Sequence, residues 1–326
     1  MATQTTPQQI PFEIKLGPAT REAFGRALVE LGHENPDVVV CDADLSKSTM
    51  TVYFQKEFPE RFFSFGIAEA NAVAAGAGLA LAGKVPFVSS FSAFVINKGF
   101  EQLRACVAYP KVNLKVVGTH SGISIGEDGP SQMSIEEISL ACSLAGFVVM
   151  APADEASTKA LVKAAAAYVG PVFIRTGRPK APVIYAPGQK FEIGKSIEVA
   201  AGTDVTIIAN GLLVAQSLLA AQTLQHEGVS VRVIDMHTVK PLDREAIAKA
   251  AAETGAIVVA EEHLVDGGLG VRVAQVVSET HPCPMEFVGI HDRYAESGQP
   301  DELLEKYGLV AGDVAAATHK VVARKR

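Results

Sequence analysis

The chain has 326 residues, of which 48% are hydrophobic, so its length suggests about two domains and its composition supplies apolar surface for two cores. A net charge of −7 argues against nucleic-acid partners and anionic membrane surfaces, because both are bound through a surplus of lysine and arginine. Small anionic substrates remain allowed, since a few local arginines can outweigh a mildly acidic surface.

The start of the chain and the cysteines carry no sign of export or of a metal framework. The first nine residues are polar and lack a basic start followed by an apolar core, so no signal peptide is expected. The four cysteines form no CxxC or CxxH pair, which disfavours zinc and disulfide frameworks. The longest apolar stretch, at residues 72–82, is shorter than the roughly 20 residues of a membrane span. We therefore expect a cytoplasmic protein with no membrane partner.

Strand-like and helix-like segments alternate along the first half of the chain. Runs of apolar and β-branched residues predict strands at residues 38–41, 85–90, 112–118, 147–150 and 172–176. Alanine-rich segments at residues 69–82 and 158–168 predict helices between them. This alternation predicts a parallel sheet with helices on both faces.

A loop-like stretch at residues 177–194 contains three prolines and is the best candidate for a domain boundary. After it the alternation restarts, with strands predicted at residues 205–209, 231–235 and 256–261 and helices at residues 216–226 and 244–253. The expected fold class is therefore α/β, with a larger domain at residues 1–190 and a smaller one at residues 195–326.

Two glycine-containing segments resemble phosphate-binding motifs only in part. In the first, Gly194 precedes Lys195 and Ser196, but the first glycine of a P-loop would fall at Gln189. The second, at residues 267–270, lacks the GxGxxG spacing of a dinucleotide site. Neither segment predicts a nucleotide site.

The loop at residues 118–132, with the sequence GTHSGISIGEDGPSQ, is unusually rich in polar groups. It follows a predicted strand, so it should lie at the carboxyl end of the sheet, where ligands bind in open α/β folds. Its glycines let the backbone approach a ligand closely, and its His, Asp and Gln side chains can bond to hydroxylated substrates. A loop of this kind is more often functional than a plain connector.

Two further segments have ordinary explanations when each is taken alone. Glu69 opens an apolar helix, where a carboxylate commonly interacts with the helix dipole. Phe91 and Phe94 follow a predicted strand, where phenylalanines are usually core residues.

In this order, the segments resemble the transketolase family. The resemblance runs from about Arg21 to the end of the chain and is strongest at residues 42–48, 66–71, 91–104, 118–132 and 174–179. The run GEDGPSQ at residues 126–132 is its most specific part. The resemblance implies the family's pyrimidine-binding domain, followed by its carboxyl-terminal domain.

Family members bind the diphosphate of thiamine diphosphate and its Mg²⁺ through an amino-terminal domain with a GDG…N signature. The sequence lacks that signature and starts close to where that domain would end. The resemblance therefore implies the small subunit of a split transketolase. Its partner would be a large amino-terminal subunit that carries the diphosphate and metal ligands, in a heterotetramer with two sites.

The resemblance also implies roles for the cofactor residues. Glu69 would hydrogen-bond a ring nitrogen of the cofactor's aminopyrimidine and would be catalytic together with His120. Phe94, with Phe91 close by, would pack against that ring, and Asp44 would lie near the thiazolium.

Further residues match positions along the channel for the sugar-phosphate substrates. They are Arg21, Ser48, His120, Asp128, Gln132 and Arg178. Arg21, Ser48 and Arg178 would form a phosphate clamp at the channel mouth, because a guanidinium can hold a phosphate through two bonds. The nearby Arg175 is expected to be structural.

Three other interpretations stay open. The β subunit of a 2-oxoacid dehydrogenase has the same two-domain plan but a different loop in place of GEDGPSQ. A deoxyxylulose-phosphate synthase-like subunit would carry a GADG loop, from which Glu127 departs. A non-catalytic stabilising partner would have no need for Glu69, His120 and Arg178 together.

Overall fold

The structure is a computed structural model that describes residues 12–325. The expectation about the first nine residues lies outside this part of the chain. Within residues 12–325, no helix combines the length and the apolar composition that crossing a membrane requires.

The first half of the chain alternates strands and helices as predicted. Its elements are β1 (Leu16–Ala19), α1 (Thr20–Glu34), β2 (Val38–Asp42), α2 (Ser46–Thr49), α3 (Val52–Glu57), β3 (Phe62–Ser64), α4 (Glu69–Leu81), β4 (Val85–Phe91), α5 (Ser92–Gln102), β5 (Lys115–Thr119), α6 (Glu137–Ser143), β6 (Val148–Met150), α7 (Glu155–Ala167), β7 (Val172–Arg175) and β8 (Lys180–Pro182). A π-helical segment, Leu103–Ala108, extends α5, and a 3₁₀ turn, Ile123–Ile125, lies in the loop after β5.

The second half builds a smaller α/β unit. Its elements are β9 (Ile197–Ala200), β10 (Val205–Ala209), α8 (Leu213–His226), β11 (Val231–Asp235), β12 (Thr238–Lys240), α9 (Arg244–Thr254), β13 (Ile257–Leu264), α10 (Leu269–Glu279), β14 (Met285–Ile290), α11 (Pro300–Lys306) and α12 (Ala311–Ala323).

In the described residues, the larger sheet has the strand order β12-β6-β7-β5-β4-β2-β3, and its strands from β6 to β3 run parallel. The smaller sheet has the order β14-β13-β10-β11-β9, with β9 antiparallel to β11. Neighbouring residues of one strand face opposite sides of the larger sheet: Phe87 and Val117 pack with α1 and α7, whereas Val88 and Val116 pack with α4 and α5. The two α/β units confirm the predicted fold class.

The structure departs from the predicted elements in two instructive places. The strand β12 follows the predicted boundary in sequence, yet it pairs antiparallel with β6 of the first sheet, so the larger sheet takes a strand from the second half of the chain. The helix expected at residue 158 begins earlier, because the Asp154 side chain accepts a 2.9 Å hydrogen bond from the Ser157 amide and caps α7.

The parallel strands β2, β4, β5 and β7 are adjacent, so their carboxyl ends meet at one edge of the larger sheet. Phe91 ends β4 at this edge, and the segments that leave it include Asp44, His120 and Arg178. Ligands bind at such an edge in open α/β sheets.

Candidate active site

The loop after β5 is a fixed structure and not a flexible connector. The Gly122 amide donates to the Ser134 carbonyl at 2.7 Å, and the 3₁₀ turn Ile123–Ile125 is buried. The Ser124 amide donates to Glu262 of β13 at 2.7 Å, which ties the loop to the second sheet. Gly122 has a φ of +85°, and a Cβ there would collide with the Glu262 carboxylate, so only glycine fits.

His120 lies at the start of this loop with a φ of +58°. Its ring stacks on Phe91 with 3.8 Å between centroids, and its Nε2 lies 3.2 Å from Arg21 Nη1. A guanidinium can only donate, so Nε2 is the acceptor and Nδ1 carries the proton that it donates to Thr119 Oγ1 at 2.9 Å. Burial, with the charges of Arg21 and Arg178, lowers the pKa of His120 to about 3, so the ring is neutral near pH 7.

Arg21 joins this loop to the segment after β2. Its Nη1 donates to the main-chain carbonyl of Ser48 at 2.6 Å, so Ser48 contributes its backbone rather than its hydroxyl to this contact. Burial, together with the charge of Arg178, lowers the pKa of Arg21. Among the described residues, Arg21 Nε is buried and has no hydrogen-bond acceptor, which leaves a donor available for an anion.

Arg178 reaches the same loop from the segment after β7. Its Nη1 donates to the Ile125 carbonyl and, at 2.8 Å, to Glu127 Oε2, while Asp128 Oδ2 lies 4.0 Å away. The structure thus gathers Arg21, Ser48, His120 and Arg178 around one place, with Asp128 at its rim. Gln132 lies on the same loop and accepts a 2.5 Å hydrogen bond from the Ser131 hydroxyl.

Glu69 begins α4 and is buried, with a residue exposure of 3%. Both of its carboxylate oxygens lie 3.4 Å from the Nζ atom of Lys98 on α5. The same Nζ lies over the Phe94 ring, 4.4 Å from its centroid, and Phe94 stacks on Phe91 at 5.5 Å with an interplanar angle of 13°. Phe91 therefore contacts both Phe94, on the Glu69 side of the site, and the His120 ring.

The sequence did not single out Lys98, although a signal was available. Phe94 and Lys98 are four residues apart, a spacing that places both side chains on one face of a helix. The helix α5 itself was not predicted, because it begins directly after β4 without a capping side chain.

Asp44 occupies a turn that a buried neighbour holds in place. The Asp42 carboxylate accepts hydrogen bonds from the Leu45 amide at 2.7 Å and from the Thr49 and Thr51 hydroxyls, each at 2.9 Å. Burial raises the pKa of Asp42. Asp44 is exposed and has a φ of +64°, so its position depends on the turn that Asp42 fixes.

Arg175 has the structural role that was expected from the sequence. It is buried, and it forms an ion pair with Glu137 at 2.5 Å and donates to the Glu262 carbonyl at 2.8 Å. Glu137 belongs to the first half of the chain and Glu262 to the second, so Arg175 joins the two halves beneath the loop at residues 118–132.

No three His, Cys, Asp or Glu side chains gather into a candidate metal site in the part of the chain that the structure describes.

Two family descriptions match successive parts of the chain. Residues 17–183 match the transketolase pyrimidine-binding domain, and residues 194–314 match the transketolase carboxyl-terminal domain. The chain is 43% identical over 298 residues to a putative transketolase C-terminal section of Methanocaldococcus jannaschii, covering 90% of this chain and 93% of that protein. It is 39% identical to a 6-deoxy-6-sulfo-D-fructose transketolase subunit of Clostridium sp. (strain MSTE9), covering 97% of this chain and 98% of that protein.

Comparison with longer relatives and with solved structures gives the same result. The chain is 37% identical to Homo sapiens transketolase, covering 94% of this chain but 49% of that protein. Among solved structures, a split-gene transketolase described as an inactive β4 tetramer superposes with a TM-score of 0.89 at 50% identity. That match covers 95% of this chain and 100% of the solved chain.

Proposed function

This chain belongs to the transketolase family, and we propose that it is the small subunit of a thiamine-diphosphate-dependent split transketolase. In this role it takes part in transferring a two-carbon ketol unit from a ketose phosphate to an aldose phosphate. Relatives of its own length, named as sections or subunits of transketolases, support this over the dehydrogenase and synthase alternatives.

The observation that carries the proposal is the buried Glu69 carboxylate, which contacts the same Lys98 ammonium as Phe94, the ring that stacks on Phe91. A flat aminopyrimidine needs an apolar face and a carboxylate at its edge, and Glu69 and the two phenylalanines supply both. Thiamine diphosphate, when bound, supplies the chemistry that cleaves and forms carbon–carbon bonds beside a carbonyl.

The protein's contribution is to position this ring and to control one proton. We assign Glu69 to hold the proton shared with the ring nitrogen, in a site from which burial excludes water. Phe94 provides the stacking face, and Phe91 supports Phe94 from behind. Asp44 extends from the turn that Asp42 fixes and would lie towards the thiazolium.

The charged cluster at the sheet edge suits a substrate phosphate. Arg21 has a buried, unpaired Nε donor, and Arg178 is the second cation of the same cluster. The neutral His120 adds no charge, and its Nε2 accepts from Arg21 and so helps to orient that guanidinium. We therefore assign Arg21, Ser48, His120 and Arg178 to a phosphate clamp, and the rim residues Asp128 and Gln132 to the sugar hydroxyls.

We propose that a large subunit binds the diphosphate and Mg²⁺, in a heterotetramer of two large and two small subunits. The chain spans about half of the human enzyme but 93% and 98% of two relatives named as parts of transketolases. This pattern supports a division of the enzyme between two polypeptides. The proposal also includes a domain division between residues 190 and 195. It further includes a cytoplasmic location, where the four free cysteines would stay reduced.

The proposal is tested by isolating the tagged chain from its own cells with whatever large subunit accompanies it. We expect the co-purified complex to transfer ketol units only when thiamine diphosphate and Mg²⁺ are present, and the chain carrying Glu69→Gln to co-purify but lose activity. A complex whose activity survives Glu69→Gln would favour a non-catalytic, stabilising subunit.

A further inference from the structure

Within residues 12–325, Lys98 contacts both the carboxylate and the aromatic face assigned to the cofactor ring. Its Nζ lies 3.4 Å from each oxygen of Glu69 and 4.4 Å from the centroid of Phe94. Its side chain is 49% exposed, whereas the Glu69 side chain is 2% exposed. The ammonium therefore lies between a buried carboxylate and the solvent.

We propose that Lys98 is a placeholder, a side chain that occupies the position of the cofactor's aminopyrimidine until the ring binds and displaces it. This inference rests on the proposed function. A ring nitrogen that bonds to Glu69 needs an oxygen that Lys98 already contacts, and a ring that stacks on Phe94 needs the surface over which the ammonium lies. Phe91 already covers one face of Phe94, so the aminopyrimidine ring and the Lys98 ammonium compete for the other face.

A physical reason for such a residue is the burial of Glu69. An ionised carboxylate removed from water is unfavourable unless a charge or hydrogen-bond donors compensate it. In the chain without cofactor, Lys98 provides that compensation, together with a cation–π contact to Phe94. Once a ring nitrogen bonds to Glu69, the compensation is no longer needed.

The position of Lys98 also makes its departure easy. The side chain is half exposed and unbranched, so the ammonium can turn into water without breaking the packing of α5. Lys98 thus lowers the affinity for the cofactor and keeps Glu69 paired while the ring is absent.

The first test measures the reactivity of the Lys98 amine in the chain alone. Trace labelling with acetic anhydride, read by peptide mass spectrometry, should modify Lys98 more slowly than the exposed Lys111. Glu69→Gln should raise the Lys98 rate about three- to tenfold, because it removes the ion pair. The matched control, Glu305→Gln on the exposed surface of α11, should leave it unchanged, and an unchanged low rate at the buried Lys115 shows that each variant is folded. Equal Lys98 rates in Glu69→Gln and wild type would overturn the proposal.

The second test measures the affinity of the complete two-subunit complex for thiamine diphosphate by calorimetry. Lys98→Met keeps the stem but removes the competing charge, so it should tighten binding about three- to tenfold, while Lys98→Arg stays near wild type. Unchanged or weaker binding by Lys98→Met would overturn this inference alone. A complex that binds no thiamine diphosphate in any variant, wild type included, would overturn the proposed function as well.

Discussion

At the scale of single residues, the environment of Glu69 separates a catalytic role from that of an ordinary helix-start carboxylate. Such a carboxylate normally stays in water and interacts with the helix dipole. Glu69 is buried, and its oxygens lie 3.4 Å from a lysine ammonium that itself lies over the Phe94 ring. From the sequence alone the ordinary explanation was the more common one, and only the resemblance to transketolases favoured the other.

Glu69→Gln should lower the turnover of the reconstituted enzyme by at least about 100-fold, because an amide keeps the shape but cannot hold or release the proton. Binding of thiamine diphosphate should change less. Hydrogen–deuterium exchange at the thiazolium carbon measures the step directly, and the exposed Glu305→Gln serves as the control. An exchange rate equal to wild type would remove Glu69 from the proton transfer.

Arg178→Ala tests whether the clamp binds a substrate phosphate. One charge-assisted hydrogen bond is worth about 1.5–3 kcal/mol, so the Michaelis constant for phosphorylated donors should rise roughly ten- to a hundredfold. The constant for hydroxypyruvate, which carries no phosphate, should hardly change. Lys180→Ala, an exposed cation two positions further along the chain, should affect neither donor.

Arg178 also holds the loop through Ile125 and Glu127, and this structural role needs its own control. Glu127→Gln weakens the contact to the loop but leaves the guanidinium in place. Arg178→Ala could raise the Michaelis constants of both donors by the same factor and lower the melting temperature. If Glu127→Gln does the same, then Arg178 holds the loop rather than a phosphate.

His120 should make stability depend on pH below neutrality. Its pKa in the folded protein, about 3, lies below the unfolded value near 6.5, so the unfolded chain binds the extra proton between these values. The stability that His120 confers is therefore complete above about pH 6.5 and decreases as the pH falls towards 3.

The variant His120→Asn isolates this effect. The difference in unfolding free energy between wild type and variant should shrink by about 1.6 kcal/mol between pH 6.5 and 5. Urea unfolding at several pH values measures this change. Other buried groups that titrate, such as Asp235, contribute equally to both proteins, so their contribution cancels in the difference. A difference that stays constant with pH would show that His120 is not held neutral.

At the scale of elements, the sequence predicts what local patterns determine and misses what distant contacts determine. The buried strands β2, β4, β5, β6 and β7 coincide closely with predicted runs, because a strand covered on both faces leaves an unbroken apolar run. The strands β3 and β12 contain polar residues, so no unbroken apolar run marks them, and the pairing of β12 with β6 depends on chain folding across the domain boundary.

The same distinction applies to the site. The loop at residues 118–132 stands out by composition, whereas the placement of Arg21 beside His120 came from the family resemblance. Lys98 and Glu262 were missed because their roles depend on contacts with residues far away in sequence.

The buried ion pairs of Arg175 should hold the two halves of the chain together. Arg175→Ala leaves Glu137 and Glu262 buried without their cation, and a change of this kind costs about 3–5 kcal/mol. Calorimetry should show a lower melting temperature and separate transitions for the two halves. Arg324→Ala, which breaks an exposed ion pair with Glu286, should cost less than about 1 kcal/mol. Equal effects of the two variants would argue against Arg175 as the link.

At the scale of the whole molecule, the chain supplies one half of the proposed site. It offers a carboxylate and an aromatic face for the pyrimidine and a basic cluster for the substrate. In the proposed assembly, the diphosphate and Mg²⁺ ligands come from the large subunit. The solved relative that superposes at a TM-score of 0.89 is described as an inactive β4 tetramer.

The dependence on a partner is the central claim, and a single activity measurement tests it. Purified chain alone, given thiamine diphosphate, Mg²⁺, a ketose phosphate and an aldose phosphate, should show no ketol transfer. Addition of the purified large subunit should restore activity and saturate at one large subunit for each small one. Ketol transfer by the chain alone, abolished by Glu69→Gln and therefore not due to a contaminant, would contradict the account.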